Sequence, residues 1–118
     1  MHIAMVGGLE RGEHHYASAA AQRGHSLEVH GGHLAGRGGD QLQRMVERAD
    51  VVIVVTDVNS HAAVLGARRF ARSLGKPCLL VRRFGLARFR NLLGELDHFE
   101  ERGADQPDWS RLMASGWS

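Results

Sequence analysis

Residues 49–61 read ADVVIVVTDVNSH. Within them Val51–Val55 is apolar and β-branched at every position, so it has no polar face to turn toward water. A strand of this kind is covered on both sides, the usual state of a strand in a parallel sheet with helices on each face. The polar run that follows, Thr56 to His61, marks the carboxyl end of that strand and the entry to a helix.

Working outward, the same alternation repeats. His2–Val6 is a short apolar run ending at Gly7-Gly8. Glu13–Arg23 has a helical pattern that stops at Gly24, a C-capping signal. Ser26–His30 is a second strand ending at Gly31-Gly32, and Asp40–Arg48 carries Leu42, Met45 and Val46 at helical spacing. Ser60–Leu74 is helical and ends at Gly75; Cys78–Val81 is a fourth strand and Leu86–Leu96 a fourth helix. Strand and helix alternating four times predict a three-layer α/β sandwich, flavodoxin-like or Rossmann-like. Its parallel sheet is expected to have about four strands in the order 2-1-3-4, with right-handed crossovers. The expected core includes Ile3, Met5, Leu27, Val29, Val51 to Val55, Leu79 and Leu80. Residues 1–97 read as one domain, and 98–118 as an acidic, Trp-containing segment, docked or flexible.

Composition narrows the function classes. The chain has 118 residues, 43% hydrophobic and 24% charged, with a net charge of +2. No apolar run approaches the roughly 18 residues of a membrane span. MHIAMVGG carries no basic leader, and a cytoplasmic protein is expected. A single cysteine, Cys78, excludes an internal disulfide and a Cys-rich zinc site. Ser60-His61 resembles a nucleophile beside a base, but neighbours in one helical turn rarely meet in triad geometry, which disfavours a hydrolase.

The eight histidines are the informative excess. In an open α/β sheet, ligands bind beyond the carboxyl ends of the strands, near the point where strand order reverses. That rule collects His14, His15, His30, His33 and His61 at one edge, with Asp57 nearby. Three of these, His14, His15 and His61, fall in first helical turns, where the dipole disfavours the charged ring. Neutral imidazole is a metal ligand. The leading expectation is a non-enzymatic binding protein holding Zn, Fe, Cu or Ni, or haem, in metal or redox handling, with His61 the first candidate. A second expectation is a binder of a phosphate- or carboxylate-bearing small molecule. There Gly7, Gly8 and Ser60 would cradle the anion and Arg82 or Arg83 would pair with it. A third is a structural or regulatory interaction module.

Charge is segregated along the chain. Residues 58–94 hold eight Lys and Arg and no Asp or Glu, whereas 95–108 hold six acidic residues against Arg102. The blocks read as solvated faces, or as self-association of an acidic segment on a basic face. Nucleic-acid binding is disfavoured, because no aromatic residues interleave the arginines. A four-stranded sheet leaves open edges, which favours a homodimer or a higher symmetric assembly.

Val6-Gly7-Gly8, Gly31-Gly32, Ala49-Asp50, Asp57-x-x-Ser60-His61, Gly75-Lys76-Pro77 and Arg82-x-x-Gly85-Leu86, in this order, resemble the bacterial domain of unknown function 2325 family over about residues 2 to 90. Family members typically carry an acidic residue at the place of His30 and often a cysteine at the place of Val58. Those departures favour histidine over thiolate ligation. The resemblance implies a flavodoxin-like or Rossmann-like fold and no established activity.

Overall fold

The computed structural model describes residues 1–7, 12–32, 34, 36–57 and 59–101. Four strands, β1 (His2–Val6), β2 (Ser26–His30), β3 (Val51–Val55) and β4 (Cys78–Val81), alternate with four helices. These are α1 (Glu13–Gln22), α2 (Gly38–Arg48), α3 (His61–Ser73) and α4 (Leu86–Glu101). Among the described residues the strands form one parallel sheet in the order β2-β1-β3-β4, the flavodoxin-like order for the first four strands. As expected, the protein is an α/β sandwich of three layers.

β3 is buried along its whole length, and its alternating side chains seed two separate cores. Val51, Ile53 and Val55 face α1 and α4, together with Ile3, Met5, Leu79 and Val81. α4 supplies Phe89, Leu92, Leu93 and Leu96 to that core, and α1 supplies Tyr16, Ala19 and Ala20. Val52 and Val54 face α2 and α3 with Ala4 and Val6. α2 brings Leu42, Met45 and Val46, three and four residues apart and therefore on one face. α3 brings only Ala63, Ala67 and Ala71, a small-residue stripe at i, i+4, i+8 that lets the helix lie close to the sheet.

Three details differ from the sequence-based expectation. α4 runs to Glu101 rather than Leu96, because no glycine or proline lies between Leu96 and Gly103. Leu27 and Val29 are only partly buried, since β2 is an edge strand. Leu80 is 37% exposed: β4 is the other edge, and α4 crosses to the α1 face, so no helix covers Leu80.

The amino ends of the strands are tied to α4 by a polar cluster. The His25 side chain is buried; its Nδ1 accepts from the Met1 ammonium at 2.9 Å, so its Nε2–H donates to Asp97 Oδ1 at 2.9 Å. Arg23 Nη1 donates to Asp97 Oδ2 at 2.5 Å. Burial opposes ionisation of Asp97, but the hydrogen bonds from Arg23 and His25 outweigh it and hold the carboxyl below its ordinary value. On the sheet surface Arg48 grips Glu28 with two hydrogen bonds, 3.1 and 2.8 Å, and lowers that carboxyl as well.

A carboxylate whose pKa is lower in the folded chain contributes stability above its unfolded value, about 3.9 for Asp, and loses it as pH falls through the folded value. Urea unfolding at stepped pH is therefore expected to show stability falling below about pH 4. Asp97→Asn is expected to be less stable than the parent at pH 7 and to show a shallower acid limb. Equal acid limbs in the two proteins would exclude Asp97 as a source of the slope.

Candidate functional site

Because β1 and β3 are neighbours while α1 and α3 leave toward opposite faces, a crevice opens at their carboxyl ends. Asn59 is central to it. Its Nδ2 donates to the Val6 carbonyl at 3.2 Å and to the Val55 carbonyl at 3.0 Å, joining the ends of β1 and β3. Its Oδ1 accepts from the Ser60 amide at 2.9 Å. Ser60 Oγ then accepts from the Ala63 amide at 3.1 Å, capping α3, and donates to the Gly32 carbonyl at 2.9 Å. Gly32 sits at φ +91°, and a Cβ there would collide with Asn59 Oδ1. Two adjacent polar side chains thus hold three loops together. Ser60, expected as an anion ligand, has its one donor hydrogen engaged by the Gly32 carbonyl. Asn59 was legible only as a polar neighbour of His61; nothing in its own position announces that it bridges two strands.

The histidines divide. His30 is buried, with Nε2 donating to the Gly38 carbonyl at 2.9 Å and Nδ1 accepting from the Gly32 amide at 3.0 Å. Both ring nitrogens are spent on the β2–α2 loop, so this conformation offers no lone pair to a metal. His14 and His15 are exposed on the first turn of α1, their ring centroids 3.9 Å apart. His61 is exposed at the start of α3 and has no hydrogen-bond partner among the described residues. His33 and Gly8 lie outside the described residues. Among those described, no three His, Cys, Asp or Glu side chains come together as a metal-holding group.

Asp57 does not orient His61. Its Oδ2 accepts from the Arg83 amide at 2.9 Å, reaching across to the loop after β4. Arg83 is the one non-glycine residue with positive φ among the described residues, at +50°. A side chain in that conformation stores strain that the surrounding bonds must hold. Besides Asp57, Arg88 Nη1 donates to the Arg82 carbonyl at 2.7 Å and the Tyr16 hydroxyl donates to the Phe84 carbonyl at 3.4 Å. Burial raises the Tyr16 pKa, so the phenol stays a donor. Through Tyr16, the loop bearing exposed Arg82 and Arg83 is fastened to α1 one turn from its start. At that start Gly12 occupies the N-cap with no side-chain hydrogen bond, and Gly7, just after β1, has φ +104°. Of the two helices flanking the crevice, α3 is closed by its own serine and α1 is not.

Asn59→Ala is expected to cost about 2–3 kcal/mol in urea unfolding, the sum of its two strand-end bonds and its bond from the Ser60 amide at roughly 1 kcal/mol each. Gly32→Ala is expected to destabilise by more than about 1 kcal/mol, from its left-handed backbone and the clash with Asn59. His61→Ala, exposed and unpartnered, should change stability by less than about 0.5 kcal/mol. A large loss at His61 would place it in the structural set instead.

Among known proteins, the model of the family described as "Uncharacterized protein conserved in bacteria (DUF2325)" matches residues 2–96. No curated protein and no solved structure matches the chain. No helix among the described residues is long and apolar enough to cross a membrane.

Proposed function

The chain belongs to the DUF2325 family of bacterial proteins, and we propose that it is a non-enzymatic binding protein for a small molecule bearing a phosphate or carboxylate group. The observation that supports this reading is the uncapped amino terminus of α1, held beside the Arg82–Arg83 loop by Tyr16 and Asp57. Free amides at a helix start and the positive end of its dipole favour an anion. Two guanidinium groups on the adjoining loop add charge-assisted donors. Gly7 lets the chain leave β1 without a side chain in the crevice. Ser60 contributes by building the wall, through its cap, rather than by touching the ligand.

This reading takes precedence over a metal or haem held by the crevice histidines. His30 is committed to backbone, Asp57 to the Arg83 amide, and the described residues bring no three ligands together. Glu13, in the first turn of α1, places a carboxylate near the proposed anion, which opposes its binding.

Thermal unfolding with inorganic phosphate, pyrophosphate and small carboxylates, beside Zn, Ni and haem, tests the proposal. A bound anion at a hundred times its Kd is expected to add about 2.7 kcal/mol of stability. Arg82→Ala and Arg83→Ala should remove that gain, and Glu13→Gln should enlarge it. Arg83→Gly relieves a left-handed side chain and is expected to raise the stability of the unliganded protein by up to about 1 kcal/mol while weakening the anion. Stabilisation by metals or haem alone would replace this reading with the histidine one.

A further inference from the structure

The exposed edge strand β4 and helix α3 enclose a groove of about 550 Å³ away from the crevice, toward the amino end of β4. Arg68, Arg69, Arg72 and Lys76 line it, and among the described residues none of the four has an acidic partner. Between them lie Leu65 and Leu80, 46% and 37% exposed. With neighbouring Leu74 these are the large hydrophobic side chains that the described residues leave most open to water. Cys78 adds no charge, because burial pushes its thiol up to about 11 against a smaller pull from Arg68.

The strand edge is also available. The Val52 amide bonds the Pro77 carbonyl and the Thr56 amide bonds the Val81 carbonyl. Odd-numbered residues of β4 therefore turn their backbone groups toward β3. Cys78 and Leu80 turn theirs outward, and their side chains line the groove. An occupant suited to this place is extended, acidic and partly apolar. A second β4 edge is a poor fit, since a two-fold contact would bring two sets of four cations together.

The chain itself carries an acidic stretch with apolar residues beside it, residues 103–110 within its last 17. Residues 102–118 lie outside the described residues, and 103–110, GADQPDWS, contain Asp105, Asp108 and Trp109 with no basic residue. Arg102 and Arg111 flank this acidic stretch, and Leu112, Met113 and Trp117 follow it. Extended, the 17 residues from 102 to 118 reach about 55 Å, against a longest molecular dimension of 42 Å. We propose that the segment 102–118 docks in the α3–β4 groove, its aspartates against Arg69 and Arg72 and its apolar side chains over Leu65 and Leu80.

The two tryptophans of the chain, Trp109 and Trp117, both lie in this segment, so intrinsic tryptophan emission reports on it alone. In the full-length protein the emission is expected to be blue-shifted and less open to acrylamide than in a synthetic peptide 102–118. Added salt should reverse part of the shift. Arg69→Glu with Arg72→Glu should release the segment, as should Asp105→Arg with Asp108→Arg. The four changes combined should restore the shift. Circular dichroism of each variant confirms that the sheet is intact. Docking within one chain leaves the emission unchanged on dilution, whereas exchange between two copies makes it concentration-dependent; either supports the groove as the site. Emission equal to the free peptide overturns the proposal. So does a shift that ignores the groove substitutions, which would mean packing elsewhere. Slow exchange of the Leu80 amide with exposed tryptophans also overturns it, as the mark of strand-to-strand pairing between copies.

Discussion

Val51–Val55 must be kept from water on both of its faces, and the rest of the molecule is arranged to meet that requirement. Its two sets of side chains demand helices above and below, and the chain supplies α1 and α4 to one side and α2 and α3 to the other. The supply is unequal. α4 brings Phe89, Leu92, Leu93 and Leu96, large groups that fill a deep layer. α3 brings a stripe of alanines, which puts its backbone close to the sheet and leaves the margin of β4 uncovered. The groove along β4 is a direct consequence of a fourth helix that packs on the α1 side.

At the carboxyl edge the polar groups fall into two kinds. Asn59, Ser60, His30 and Asp57 are spent on backbone, joining β1, β3, the β2–α2 loop and the loop after β4. They make the crevice rigid. His14, His15, His61, Arg82 and Arg83 are exposed, and α1 begins at Gly12 with no side-chain cap. A binding site is made from the second kind and positioned by the first. The strained backbone of Arg83 sits where the two kinds meet, held by Asp57.

Charge is distributed with the same economy. Among the described residues, the carboxylates that pair with cations are Glu28, with Arg48 and His2, and Asp97, with Arg23 and His25. Arg68, Arg69, Arg72 and Lys76 are unmatched and lie beside exposed leucines. Placing unpaired cations along an open edge strand is a recognised guard against edge-to-edge pairing. It also makes that edge selective for an acidic strand.

The sequence alone determined the alternation of elements, the parallel sheet, its strand order and the crevice at its carboxyl edge. Each follows from local patterns: five β-branched residues at 51–55, glycines at 24 and 75, and helical spacing at 42, 45 and 46. A strand's burial is written in its own side chains, so it is readable there. The roles of the polar residues were not. His30 is the same residue type whether it holds a metal or braces Gly38, eight positions away. Ser60 reads as a ligand or as a cap, and Asp57 as a partner of His61 or of Arg83, 26 positions on. Leu80 reads as core until α4 is seen to pack on the other face. Only tertiary structure decides these, because a polar group's role depends on which partner comes within about 3 Å of it. That partner is set by segments distant in sequence, whose approach no local pattern records.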